Sequence, residues 1–308
     1  MKIAISAEST IDLNKEILDK YQIHIVPFQV VLGERIDDDG VINGQEIFDF
    51  VKANKILPKT VAVNEYAFEE HFKKLLEEYD AVIHVSLSSQ ISSACNNAIN
   101  ASKKFENVYV IDSLSLSTGI ALLAIYASNL VNEGLEAKEI YEKVKDRVNK
   151  LQVSFVVNTT EYLYKGGRCS SLARLGSLLL RIKPQIVLRE GKLVPGKKYF
   201  GKSSWTVRDY VKDTLEEFNT PDLSLVFITH SHATPDMISE AQILLKSAGF
   251  KQIVETTAGA TISSHCGPKT LGILYFNDGN KVISLNKKEV KEHKAIHKEK
   301  AKQGKSKK

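Results

Sequence analysis

The chain has 308 residues, 43% of them hydrophobic and 26% charged, the balance of a soluble globular protein long enough for two domains of ordinary size. No apolar run approaches the roughly 18–20 residues of a membrane span. Met1-Lys2-Ile3-Ala4-Ile5-Ser6 lacks the apolar core and small-residue cleavage site of a secretory signal, so a cytoplasmic protein is expected. The net charge of +5 is concentrated at one end: residues 286–308 hold ten lysines and three glutamates, a local +7 that leaves −2 for the rest. A slightly acidic body gives no reason to expect nucleic acid as a partner. The basic tail reads as a solvated, largely disordered extension, with transient contact to anionic membrane as a secondary expectation. Cys95, Cys169 and Cys266 are odd in number, widely spaced and free of any C-x-x-C pair, which argues against a disulfide framework or structural zinc.

In chain order, the first half alternates strands and helices. Residues 2–6 read as a buried strand, followed by the turn Glu8-Ser9-Thr10-Ile11-Asp12 and a helix over 13–21. Residues 23–32 read as one strand, with Pro27 marking a bend or an edge. Helical spacing predicts helices over 44–54 and around Phe68, Phe72, Leu75 and Leu76. Strands at 81–85 and 108–111 each run into a hydroxyl-rich turn and then a helix, 94–101 and 120–131. Strand, polar turn and helix in repetition predict βαβ units on a parallel sheet.

The second half has a different rhythm. A strand at 153–157 and a helix over 160–164 precede Lys165-Gly166-Gly167-Arg168. Residues 184–188 and 192–194, joined by Arg189-Glu190-Gly191, predict a hairpin. Helices over 204–218 and 235–247 and strands at 223–229, 252–254 and 271–276 complete an α+β region with a mixed or antiparallel sheet. The expected division is a parallel α/β domain over 1–155, an α+β domain over 156–285 and the basic tail over 286–308.

The chemistry concentrates in the turns. In an open parallel sheet, ligands bind beyond the carboxyl ends of the strands, where unpaired helix N–H groups and the helix dipole favour an anion. Ser86-Leu87-Ser88-Ser89-Gln90-Ile91-Ser92-Ser93 places five serines at one such junction, and Asp112-Ser113-Leu114-Ser115-Leu116-Ser117-Thr118-Gly119 adds more hydroxyls at the next. Helix capping accounts for one serine at each junction; the surplus points to an oxygen-rich ligand. Thr60, after Leu57-Pro58-Lys59, reads as a loop residue capping the next helix. His265 sits in a small-residue turn, and Arg168 at a glycine-terminated helix end. Nucleotide loops, a G-x-S-x-G elbow and a third ligand for His230-Ser231-His232 are all missing from the sequence. Asp37-Asp38-Asp39-Gly40 reads as a solvated turn.

Taken in order over residues 1–280, these segments resemble the DegV family of bacterial fatty-acid-binding proteins. The resemblance rests on Ser9-Thr10-x-Asp12-Leu13, Leu57-Pro58-Lys59-Thr60, the serine turn, Asp112-Ser113 with Ser117 and Gly119, Tyr162-Leu163-x-Lys165-Gly166-Gly167-Arg168, Lys183-Pro184 and His265-x-Gly267-Pro268. It implies two domains with one long-chain fatty acid buried between them. The carboxylate would be bound by Thr60, Ser92 and His265, with Ser89, Ser93 and Ser117 as the supporting loop. The partner would be a separate fatty acid kinase subunit that forms the acyl phosphate for phospholipid synthesis, with Arg168 docking the kinase or meeting the phosphate. The fatty acid is then a ligand, and no cofactor or metal is expected. Departures from the family pattern are Glu8 in place of Asp, the loss of Thr-Ser-x-Pro after Thr60, and Gln90 and Ser93 in place of glycines.

Hydroxyls, helix N–H groups and one histidine hold an anion; they do not form the base, nucleophile and orienter that hydrolysis requires. A carrier is therefore expected rather than an enzyme. The alternatives are a hydrolase using Ser92 or Ser93 with His265, a subunit like those of dihydroxyacetone kinase, and a lipid-sensing regulatory module.

Overall fold

The computed structural model describes residues 1–173 and 182–284; the expected tail lies outside the described residues. The first half runs β1 (Ile3–Glu8), α1 (Lys15–Tyr21), β2 (Ile23–Val26), β3 (Gln29–Leu32), β4 (Arg35–Asp38), α2 (Gly44–Asn54), β5 (Lys59–Val61), α3 (Glu65–Leu76), β6 (Ala81–Ser86), α4 (Ala94–Ser102), β7 (Val108–Asp112), α5 (Thr118–Asn132) and α6 (Ala137–Arg147). The second half adds β8 (Leu151–Val156), α7 (Glu161–Lys165), β9 (Lys183–Arg189), β10 (Lys192–Tyr199), α8 (Ser203–Glu217), β11 (Leu225–Ser231), α9 (Pro235–Ala248), β12 (Gln252–Thr257), α10 (Ala260–Cys266) and β13 (Thr270–Phe276).

Two main sheets result. A four-stranded sheet in the order β2-β1-β6-β7 is parallel throughout. Its central strands β1 and β6 are buried along their whole length, as strands covered on both faces must be. A six-stranded sheet in the order β10-β9-β8-β13-β11-β12 is antiparallel except for the β11–β12 pair. The β9–β10 hairpin closes with Arg189 opposite Lys192, at the turn the sequence predicts. The α/β first half and the mixed second half thus agree with the sequence reading.

α5 lies between the two sheets, and this explains its composition. Eleven of its residues are buried, from Thr118 to Leu130, because it packs on β1 and β6 on one side and on β8 and β13 on the other; a helix apolar all round belongs inside a core. One hydrophobic cluster accordingly joins Ile5, Ile83, Ile111 and Leu123 to Phe155, Ile186, Phe227 and Leu274. The far face of the six-stranded sheet is covered by α8 and α9 through Val207, Tyr210, Leu244 and Leu245.

Several expectations are corrected. Residues 23–32 do not form one strand: the chain breaks at Pro27, so β2 joins the parallel sheet while β3 pairs antiparallel with β4 and β5 in a third sheet. Thr60 is not a loop cap; it is the central residue of β5. His265 is in the last turn of α10, not in a turn before a strand. The boundary drawn after residue 155 falls inside β8, which belongs wholly to the six-stranded sheet, so sheet membership changes ahead of Leu151. Asp39 is buried, not solvated. The sequence reading also passes over α6, although Ala137, Ile140 and Val144 line its buried face at helical spacing.

The seam carries one ionic cluster. Arg147, at the end of α6, donates to Asp222 at 2.8 Å and to Asp278 at 2.9 Å, while its guanidinium lies 3.7 Å from the Phe276 ring centroid. Arg147→Ala is expected to lower unfolding free energy by about 1–3 kcal/mol, since a partly buried, stacked, twice-paired arginine exceeds the exposed-pair range. Arg147→Lys should recover only part of this, because an ammonium cannot fork between two carboxylates while stacking. Urea unfolding measures both.

Candidate ligand-binding site

α10 is a helix of the second half whose N-terminus, one flank and last turn are held by residues of the first. Its first N–H groups have no partner within the helix. Asp39 supplies one, accepting from the backbone N–H of Ala260 at 2.8 Å and of Thr261 at 3.3 Å. Asp12 accepts from the N–H of Gly259 at 2.8 Å and from the hydroxyl of Ser117. Ser9 ties the two acidic segments together: its hydroxyl donates to Asp39 at 3.2 Å and accepts from the N–H of Phe28 at 3.0 Å. The flank of α10 packs through Ala260 against Val30, Leu32, Ile42 and Ile47. Burial, with Asp39 as a neighbouring charge, pushes Asp12 up to about 8 against the pull of its two hydrogen bonds.

At the other end of α10, His265 Nε2 meets Thr60 Oγ1 at 2.9 Å. Val30 and Thr60 are opposite one another across β3 and β5, and Val30 is fully buried, so the same face of β5 delivers Thr60 inward. Burial, reinforced by Arg168, lowers His265 to about 3, which keeps the ring neutral. With its proton on Nε2, His265 donates to Thr60 and leaves the threonine O–H free to donate onward. Gly166 and Gly167 let the end of α7 close on this pair. A Cβ at Gly166 would lie 3.0 Å from His265 Nδ1, and Gly167 has φ +73, a backbone that favours glycine. Arg168 donates through Nη1 to the carbonyl of Gly166 at 2.7 Å.

Thr60, Ser92, Ser117, Arg168 and His265 all line one cavity. The remaining wall is largely apolar: Phe28, Leu87, Ile91 and Leu116 from the first half, Phe155, Leu163, Leu193, Ile262 and Leu274 from the second. Ser92 Oγ accepts from the N–H of Ala94 at 3.2 Å, so its own proton is free to point elsewhere. Ser89 and Ser93 are not among the lining residues. Ser89 helps shape the turn, its N–H donating to Asp112 at 3.2 Å, and Ser93 starts α4, its carbonyl accepting from Asn97 at 3.0 Å. Asp12 and Asp39 escaped the sequence analysis as site residues; the Ser9-x-x-Asp12 spacing was the available signal.

The site is thus a largely apolar cavity between the two halves of the chain, with a cluster of hydroxyls, the imidazoles of His230 and His265 and the guanidinium of Arg168 on its wall, a set of groups able to pair with an anionic head and cover an apolar chain. The chain belongs to the DegV family: the family model described as "Uncharacterised protein, DegV family" matches residues 2–278. A fatty acid-binding protein of Thermotoga maritima is 30% identical over 281 residues, covering 88% of this chain and 96% of its own. Among solved structures, a DegV family protein from Thermus thermophilus described for its fatty acid binding superposes with a TM-score of 0.83 at 25% identity, covering 90% and 99% of the two chains. DegV from Bacillus subtilis, described as a fatty acid binding protein, gives 0.75 at 26% identity, with the same coverage.

The two shifted groups act on stability in opposite directions. His265, depressed to about 3 from 6.5, contributes stability that is present above pH 6.5 and lost as pH falls toward 3. Asp12, raised to about 8 from 3.8, contributes stability that is present below pH 3.8 and lost as pH rises through 8. In ligand-free protein, His265→Gln should therefore flatten the acid limb of a stability–pH curve, and Asp12→Asn the slope between pH 4 and 8. Urea titrations at stepped pH read both effects, and NMR of the His265 ring should show no protonation above about pH 4.

Proposed function

We propose that this chain binds a long-chain fatty acid, with the carboxylate at Thr60, Ser92 and His265 and the alkyl chain along the apolar wall. The observation that carries this reading is the convergence of those three residues, from separate elements, on one mostly apolar cavity. The relatives described as fatty acid-binding support it. The energetics are adequate. A sixteen-carbon chain burying about fourteen methylenes at about 0.8 kcal/mol each gains roughly 11 kcal/mol gross, and sub-micromolar affinity survives the entropy of association. The head group must still be paired, since a buried carboxylate without partners is costly. Two hydroxyl donors and the nearby guanidinium of Arg168 meet that need.

The protein acts in the cytoplasm as a carrier, with the fatty acid as ligand and no cofactor. It presents the carboxylate to a separate kinase subunit for acyl phosphate formation, which feeds phospholipid synthesis. Arg168 is the residue for that hand-over: one N–H is committed to Gly166, and the rest of a five-donor group suits an acyl phosphate. A hydrolase is disfavoured, because His265 Nδ1 has no hydrogen-bond partner among the described residues, so no carboxylate orients the ring. No described helix is long and apolar enough to cross a membrane. The +7 of residues 286–308 suits transient contact with an anionic membrane.

Mass spectrometry of an organic extract of the purified protein should find a fatty acid in stoichiometric amount. If none is present and none binds on titration, the reading fails. Ser92→Ala should weaken binding by about 1–3 kcal/mol, the cost of leaving a charged group one hydrogen bond short; an unchanged Kd would remove Ser92 from the site. Deleting residues 286–308 should reduce affinity for anionic vesicles at low salt and leave fatty acid binding intact.

A further inference from the structure

Besides Asp12 and Asp39, a third carboxylate is buried next to the cavity without lining it. Glu8 ends β1 and is fully buried. Its side chain accepts from the hydroxyl of Ser86 and from the backbone N–H of Leu87 at 3.0 Å. Ser86 is the last residue of β6 and the first of the serine turn, and Leu87 follows it. The support behind Glu8 is equally enclosed. His84 Nε2 lies 3.4 Å from the carboxylate, His84 Nδ1 meets Ser6 Oγ at 3.0 Å, and Ser6 Oγ meets His71 Nε2 at 2.7 Å. A buried carboxylate, even with such partners, is a costly way to join two strands; an apolar residue would do so at lower cost.

We infer that Glu8 is a positioning residue of the carboxylate site, fixing the root of the turn that carries Ser92. The path is short and continuous. Beyond Leu87, the Ser88 N–H donates to the carbonyl of Ser115 at 2.9 Å and the Ser92 N–H donates to the carbonyl of Ser88 at 3.2 Å. The Ser88 hydroxyl donates to the carbonyl of Gly191 at 2.9 Å. Leu87, Ile91 and Ser92 then face the cavity. With the root released, a hydroxyl that must meet a carboxylate within a few tenths of an ångström loses its reference. The inference rests on the fatty acid reading above.

The test titrates palmitic acid labelled with carbon-13 at the carboxyl into wild type, Glu8→Ala, Glu8→Gln and Ser86→Ala, reading Kd, the carboxyl chemical shift and the melting temperature. Wild type that binds no palmitate overturns the fatty acid reading itself and is seen before any variant is made. With binding established, Glu8→Ala should raise Kd by about tenfold, on the scale of one lost charged-group hydrogen bond, and should move the bound carboxyl resonance. Glu8→Gln keeps an acceptor for Leu87, and the Ser86 hydroxyl can turn to accept from the amide, so it should recover most of the affinity and the wild-type shift. A lowered melting temperature with unchanged Kd and unchanged resonance would assign Glu8 to stability alone and overturn the inference. Equal damage from Gln and Ala would also overturn it. Should Glu8→Ala fail to fold, Ser86→Ala removes the same anchor at little cost in volume. It should weaken binding severalfold and move the resonance, and wild-type behaviour in both would overturn the inference.

Discussion

The docking of α10 onto the first half of the chain is the contact on which the site depends. Asp12 and Asp39 take the free N–H groups at Gly259, Ala260 and Thr261, which a helix leaves without partners of its own. Thr60 meets His265 at the opposite end. A seven-residue helix is too short to persist alone; α10 persists because both of its ends and one flank are held from the other half. The same contacts close the cavity, since helix and cavity share Thr261, Ile262, His265 and Cys266.

Electrostatics within the site follow from burial. Burial of the His265 ring disfavours its charged form, and the nearby Arg168 adds to that cost, so the ring stays neutral. Arg168 brings a guanidinium to the wall, and the hydroxyls of Thr60 and Ser92 supply direction instead of charge. The glycine pair before Arg168 belongs to the same arrangement: it brings the end of α7 to within contact of His265, where a side chain would stand in the way.

Much of the site was legible from residue types. Five serines at one strand–helix junction exceed what capping needs, and five of the named residues, Thr60, Ser92, Ser117, Arg168 and His265, line one cavity. The reading failed where a residue's role depends on distant partners. Asp39 looks like a solvated turn residue among its neighbours, yet it is buried against a helix 221 positions away. Thr60 looked like a cap because the pairing of β5 with β3 has no local signature. Ser89 and Ser93 share the composition of Ser92 but point elsewhere, and composition has no direction.

The sequence by itself determined the layering: apolar runs and helical spacing follow the period of local structure, so the parallel first half and the mixed second half could be read from pattern alone. It also pointed to the serine turn, because hydroxyls in excess of capping have few other uses. Only the tertiary structure decided which hydroxyls face the cavity, which carboxylates hold α10 and where the two sheets divide. Those outcomes depend on contacts between residues far apart in the chain, and no local period encodes them.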